Sequence, residues 1–241
     1  MSGAITVPTF EQLLELRETG RTVGYNGIYI YLRYKAILEV LRGRIVKRVL
    51  NVGCGYGIFD RLLPDDVELL GLDLGEAEID FASAYAAEAR PKFTYRRMRL
   101  QDADLKPGSF DLVILSEVLE HMPEPEVGET IDHALEALRP RGLLLVTLPS
   151  RDTLRNRARR LFRKEPVLMD RTHLREYSLS EARELLRLWQ LEELAFEPAV
   201  LYFPKESRVA KLLPPESPIR KNILHRFPAL ASHFIMLYRK P

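Results

Sequence analysis

One cysteine, Cys54, is all that 241 residues contain, so no disulfide can form within the chain. No run approaches the roughly twenty apolar residues that a membrane-crossing helix needs. The first thirty residues lack a basic stretch followed by an apolar one, the pattern of a secretory leader. Internal repeats and low-complexity tracts are missing too, and neither sign of charge is in surplus: 36 Lys and Arg stand against 34 Asp and Glu, a net charge of +2. That balance singles out no partner. Hydrophobic residues at 46% and charged residues at 29% suit an ordinary globular protein. The length holds one well-buried α/β domain with additions and does not demand two. A cytoplasmic protein is the expectation.

What the chain does have is concentrated at residues 48–57, Arg-Val-Leu-Asn-Val-Gly-Cys-Gly-Tyr-Gly. A β-branched run breaks into three alternating glycines and an apolar helical turn follows, which predicts a strand running into a ligand loop. Gly53, Gly55 and Gly57 have no side chains, so the main chain can turn sharply and lie against a ligand, with amides at the next helix's N-terminus facing it. Cys54 inside this turn reads as a small packing residue. Residues 68–73, Glu-Leu-Leu-Gly-Leu-Asp, form a second apolar run ending in Asp73, placed to pair both hydroxyls of a ribose. Ile58 stands where a dinucleotide fingerprint has its last glycine, which argues against NAD.

The other elements follow from periodicity. Thr9 and Gln12 form a capping-box pattern before a short helix. A second helix fits 27–42, with Ile30, Tyr31, Tyr34, Ile37, Leu38 and Leu41 at helical spacing. A brief helix face at 58–63 ends at Pro64, and an alanine-rich helix runs from Glu76 to Arg90. Strands are expected at 93–98, 110–116 and 143–148, with a helix at 126–138 between the last two. The nearly continuous apolar run at 110–116 suits a central parallel strand covered on both faces. Ser178 and Glu181 cap a later helix, residues 191–198 and 233–239 are closing strands, and the proline-rich stretch between them is expected to be a long irregular lid or edge loop.

In order and at plausible spacing, these segments resemble the class I S-adenosylmethionine-dependent methyltransferases over about residues 45–150. The resemblance is carried by the glycine loop, Asp73, Gln101-Asp102-Ala103, the run from Phe110 to His121 and the stretch from Arg139 to Val146. It implies a Rossmann-like seven-stranded mostly parallel sheet with helices on both faces and an antiparallel last strand. It implies one domain, made of an N-terminal helical cap (1–44), a cofactor-binding core (45–150) and an acceptor side with a basic insertion and the closing strands (151–241). By the same resemblance, S-adenosyl-L-methionine is the cofactor and S-adenosyl-L-homocysteine the product. Gly53, Gly55 and Gly57 would lie against the methionine part, Asp73 on the ribose, Leu74 on the adenine face, Asp102 and the Ala103 amide at the adenine edge, and Ser116 and Glu117 at the methionyl end. Asn51 departs from the pattern: the family usually has an acid there, so the shape is kept and the charge lost.

Methyl transfer from a sulfonium is an in-line displacement that asks mainly for positioning and the exclusion of water. A hydroxyl acceptor would be helped by a general base, and His121 and His173 are the candidates. Asp170-Arg171-Thr172-His173-Leu174-Arg175-Glu176-Tyr177 is similar to the His-x-Arg segment of small-molecule and glycan-pathway methyltransferases, which would put His173 and Tyr177 at the acceptor and Arg175 on its carboxylate or phosphate. Tyr25, Tyr29 or Tyr31 could reach the pocket or simply pack their helix. Residues 151–164 hold six arginines and Lys164 against Asp152, a local balance of +6. Such a helix could meet a membrane surface, an acidic substrate or nucleic acid. A small or lipid-linked acceptor, such as a sugar or glycan intermediate, is the leading expectation, and no metal is called for. A nucleic-acid methyltransferase is disfavoured, because Ser116-Glu117-Val118-Leu119 replaces the Pro-Pro-aromatic stretch of base-amino enzymes. A non-catalytic binding protein is the remaining alternative, with Asn51 as its hint.

Overall fold

Five segments, each leading into a helix or a turn, become the parallel strands β1 (Arg48–Val52), β2 (Glu68–Asp73), β3 (Phe93–Arg97), β4 (Phe110–Ser116) and β5 (Leu138–Pro149). With β6 (Glu192–Ala199) and β7 (His233–Arg239) they form a seven-stranded sheet in the order β3-β2-β1-β4-β5-β7-β6, and β7 runs antiparallel to both neighbours. The helices are α1 (Gly27–Leu41), α2 (Glu76–Ala89), α3 (Glu124–Ala137), α4 (Leu154–Leu161), α5 (Leu179–Arg187), α6 (Arg208–Leu212) and α7 (Pro218–Arg226). This is a Rossmann-like sheet with its last strand reversed. The structure, a computed structural model, describes residues 4–5, 27–203 and 208–241; the Thr9–Gln12 cap and Tyr25 lie outside the described residues, as does the side chain of Tyr29.

The central strands are apolar on both faces because both faces are covered. Leu112 and Ile114 of β4 enter one layer with Val49, Leu145 and Ile235, closed by Ile37, Leu38 and Leu41 of α1 and by Ala82 of α2. Val113 and Leu115 enter the other with Leu50, Val146 and Met236, closed by Val127 and Ile131 of α3 and Leu186 of α5. Each such side chain contributes ~1.5–3 kcal/mol by leaving water. Strand side chains alternate between faces, so a one-residue slip of β4 would exchange the two layers. That alternation fixes the register, and with it which residues stand at the strands' carboxyl ends.

Three expectations are corrected. The helix expected over 58–63 is only a 3-10 turn, Asp60–Leu62, closed by the Leu63 amide on the Asp60 carbonyl at 3.0 Å. The fifth strand begins at Leu138, opposite Phe110, with a register shift before Leu112 pairs with Leu143. The proline-rich stretch expected to be irregular contains α6 and α7: Ser217 accepts from the Ile219 amide and Pro218 opens α7, where its missing N–H costs nothing. Arg220 of that stretch is buried and donates to the carbonyls of Leu201 and Leu213, so it is a tie between segments.

Gly71 in β2 marks a close approach. A Cβ there would collide with the Tyr95 ring. Gly71→Ala is therefore expected to cost about 1–3 kcal/mol through overpacking. A fall of a few degrees in melting temperature would show it by calorimetry; an unchanged midpoint would mean that the ring gives way freely.

Candidate functional site

The site starts where β1 runs out. Gly53, Gly55 and Gly57 adopt φ of 70°, 52° and 65°, the left-handed region that side chains disfavour. The amides of Gly53 and Cys54 both donate to the Leu72 carbonyl, at 2.7 and 3.0 Å, which pins the loop to the end of β2. One residue on, the Asp73 carboxylate turns back toward the loop: Oδ2 accepts from the Gly55 amide at 2.7 Å and Oδ1 from the Gly75 amide at 2.9 Å. Each oxygen keeps a lone pair for a hydroxyl donor.

A cavity of about 980 Å³ opens there, beyond the carboxyl ends of β1, β2 and β4. This is where open α/β sheets place their ligands, and the volume, at the upper end of ordinary ligand pockets, leaves room for a nucleoside-sized cofactor and an acceptor together. Asn51, Gly53, Gly55, Asp73 and Leu74 line one side. Ser116 and Glu117 line the cavity as well, as do His121 and His173, with Asp170, Thr172 and Leu174. Gly57 lies a turn away, facing Tyr95 and Ala82. Asp102 and Ala103 do not line the cavity; Leu100 and Gln101 of the same turn do, and Asp102 is exposed. Arg175 pairs with Glu124 at 2.9 Å and Tyr177 is buried in the core, so neither lines the cavity.

Four groups escaped the sequence reading. Arg33 and Tyr34 reach the cavity from α1. His233, at the start of β7, stands 3.3 Å from Glu117 Oε2, and Arg33 stands 3.1 Å from the same atom. Glu117 itself has a left-handed φ of 55°, a strained conformation that clusters at functional sites. Burial alone would raise its carboxyl, but His233, Arg33 and the Thr147 hydroxyl at 2.7 Å outweigh that and hold it well below the usual carboxylate range. The fourth is Asp60, fully buried under the loop. Asn51 Nδ2 donates to its Oδ1 at 2.7 Å and the Tyr95 hydroxyl to its Oδ2 at 3.1 Å. Burial pushes this carboxyl up to about 7 against those hydrogen bonds. A buried acid nine residues on from Asn51 thus stands behind it, bonded through Asn51's own side chain. Cys54 lines the cavity, but burial drives its thiol far up, away from reactivity.

A family model described as a methyltransferase domain matches residues 27–194. The chain belongs to the methyltransferase domain family. Among curated relatives it is 36% identical over 96 residues to a ubiquinone biosynthesis O-methyltransferase of Vibrio cholerae serotype O1, a match over 39% of each chain. The chain therefore spans about two fifths of the length of the curated relatives it matches. Among solved structures, a SAM dependent methyltransferase from Archaeoglobus fulgidus superimposes with a TM-score of 0.56 at 15% identity, covering 95% of this chain and 94% of that one. The [4+2]-cyclase SpnF superimposes with a TM-score of 0.55 at 21% identity, over 81% and 75%. At these identities the structural likeness shows the fold alone.

The methyltransferase family's cofactor is S-adenosylmethionine, and the residues present fit it. The left-handed loop presents bare main chain to the cavity at Gly53 and Gly55, the Cβ position of Gly53 being taken by Val118, and the Asp73 carboxylate offers acceptors that suit a ribose. Leu74, more than half exposed in the cavity, offers an apolar face. Among the described residues no helix is long and apolar enough to cross a membrane.

Proposed function

We propose that this methyltransferase moves the methyl group of S-adenosylmethionine to a hydroxyl oxygen of a small or carrier-linked acceptor. One observation carries the reading: a single cavity is lined both by the Asp73 carboxylate, turned to the glycine loop, and by His121 and His173. Asp73 would take the ribose hydroxyls. Arg33 and Glu117, paired in the cavity, offer one charge of each sign to the zwitterionic methionyl end. The acceptor hydroxyl must lose its proton as its oxygen bonds the methyl carbon and the S–CH3 bond breaks. The two histidines are the groups placed to handle that proton. O-methylation is also the chemistry in the names of the curated relatives.

The surface beside the acceptor end supports a lipid-linked acceptor. Leu161 and Phe162 at the end of α4 are 79% and 72% exposed, and Leu174 at the cavity is 61% exposed. Arg155, Arg163 and Lys164 surround them in solvent, whereas Arg151, Arg159 and Arg160 are tied to Glu181, the Glu165 carbonyl and Asp152. Exposed apolar groups among free cations match an anionic lipid surface better than the phosphates of nucleic acid.

Calorimetric titration with S-adenosylmethionine and S-adenosylhomocysteine is expected to give binding by both; heat from neither would sink the cofactor assignment. Transfer of labelled methyl into lipid, polar-metabolite and nucleic-acid extracts then reads the acceptor class, with label in the lipid fraction expected and label in nucleic acid alone overturning it. Leu161→Ser with Phe162→Ser should weaken sedimentation with phosphatidylglycerol vesicles by about 100-fold or more, from ~1.5–3 kcal/mol lost per side chain. Cofactor affinity should not move. Equal sedimentation of variant and parent would leave α4 merely solvated.

A further inference from the structure

We propose that Glu120, His121 and His173 bind a divalent cation at the acceptor end of the cavity. No metal was expected from the sequence, where His173 is far from the Glu120–His121 pair. The fold joins them: the carbonyl of Glu120 accepts from the amides of Leu174 and Arg175, at 2.8 and 3.3 Å, which docks the segment carrying His173 onto the exit of β4. One ligating atom from each of the three residues then lies within 4.8 Å of the others.

The Glu120 carboxylate asks for a ligand. It is fully buried, and neither oxygen has a hydrogen-bond partner among the described residues. His121 Nε2 stands 4.0 Å from one of them. A buried carboxylate left in this state is costly, and either a proton or a bound cation would relieve it. The rings are prepared from behind. His121 Nδ1 is 3.2 Å from the Thr172 carbonyl, and His173 Nδ1 is 3.0 Å from the carboxylate of Glu176, itself buried and held by the Met169 amide. A carbonyl can only accept, so it fixes the proton of His121 on Nδ1; the carboxylate does the same for His173. Both Nε2 lone pairs are left for a metal, the outer arrangement that metal-bound histidines usually have. The rings meet edge to face at 81°, 4.8 Å between centroids.

Two imidazole nitrogens and one carboxylate oxygen favour a first-row divalent ion such as Zn2+, Co2+ or Mn2+ over Mg2+ or Ca2+. Three protein ligands leave coordination positions open, and the two histidines line the cavity, so these positions face the acceptor. The next step rests on the O-methylation reading. An acceptor hydroxyl binding the ion becomes more acidic and loses its proton to solvent. Its oxygen attacks the methyl carbon as the S–CH3 bond breaks, and the sulfonium's electron deficit ends as a neutral thioether. With the ion bound, His121 and His173 are its ligands, and solvent takes the proton that the two histidines would handle in its absence.

The test uses the full chain stripped with EDTA and titrated with Zn2+ and Co2+. One equivalent per chain is expected by calorimetry and elemental analysis. Exchanging an outer-shell partner typically costs 10–100-fold in metal affinity, which sets the expectation for Glu176→Gln at about 10–100-fold. Loss of a ligand in His173→Ala or Glu120→Gln should cost at least about 100-fold by the same scale. Should Glu120→Gln fail to fold, His121→Ala replaces it. S-adenosylhomocysteine affinity is read in every variant as the measure of an intact fold. A parent chain that binds S-adenosylhomocysteine but no metal overturns the proposal and leaves the methyltransferase reading standing. Metal binding indifferent to His173→Ala and to loss of Glu120 or His121 overturns it as well.

Discussion

Asp73→Ala is expected to abolish measurable binding of S-adenosylmethionine and S-adenosylhomocysteine while the protein still folds. The carboxylate has two jobs within the same few ångströms: it holds the glycine loop through the Gly55 amide and the start of α2 through the Gly75 amide, and it presents its remaining lone pairs to the cavity. Hydrogen bonds to a charged group contribute ~1.5–3 kcal/mol each. Two from a ribose amount to roughly 3–6 kcal/mol, or about 100-fold to more than 10,000-fold in affinity by the 1.4 kcal/mol-per-decade rule. Stability should change less, because Asp73 sits part-exposed at a strand end where water can replace its backbone bonds. Asp73→Asn keeps one acceptor oxygen and should fall between, losing about 10–100-fold. Titration calorimetry and a melting curve on the same samples separate the two effects. An Asp73→Ala variant that binds as tightly as its parent would show that the ribose is held elsewhere.

The features that could be read from the sequence are those fixed locally. Gly53, Gly55 and Gly57 dictate a left-handed turn whatever surrounds them, and the apolar run before Asp73 puts that residue at a strand's carboxyl end. The double alternation of 110–116 gives a strand covered on both sides. In each case the cause lies within a few residues of the effect. Long-range pairings were hidden. Nothing near Asp60 in the chain says that a strand-end asparagine and a tyrosine on β3 will enclose it. His233 meets Glu117 only because β7 is inserted antiparallel beside β5. The prolines at 214–218 suggest an irregular loop by their number, but their positions decide otherwise: Ser217-Pro218 is a cap followed by a first-turn proline. Arg175 and Tyr177 show the opposite failure. Residue types suited to an acceptor pocket are spent on Glu124 and on the core, while the cavity takes Arg33 and Tyr34 from a helix whose neighbouring tyrosines suit either the pocket or packing.

Asp60 carries the second large effect, a loss of stability as pH rises that Asp60→Asn should remove. Burial holds the native carboxyl at about 7, whereas in the unfolded chain an aspartate titrates near 3.9. The native state therefore keeps its proton longer. Below about pH 4 both states are protonated and the native state has its full stability. Between about pH 4 and 7 the unfolded chain releases the proton first and stability falls; above about 7 both are ionised and the loss is complete. Three pH units at about 1.36 kcal/mol each make this roughly 4 kcal/mol. Glu120, also raised by burial, contributes in the same direction, and Glu117, held low by His233 and Arg33, weakens the native state only when pH falls into the acid range. Those terms are shared by parent and variant, so the difference between their stability curves isolates Asp60. Denaturant melts from pH 4 to 8 should show Asp60→Asn gaining on its parent as pH rises, and parallel curves would mean that the carboxyl titrates normally. The cofactor sharpens the argument. Asn51 lines the cavity and donates to Asp60, so a sulfonium or ammonium bound above it favours the ionised carboxylate and must release the proton from Asp60 to gain that attraction. Affinity for S-adenosylmethionine should accordingly rise through pH 7 in the parent and stay level across that window in Asp60→Asn. If it rises equally in both, Asn51 lends the site no charge, and the missing acid of the glycine motif is missing in fact.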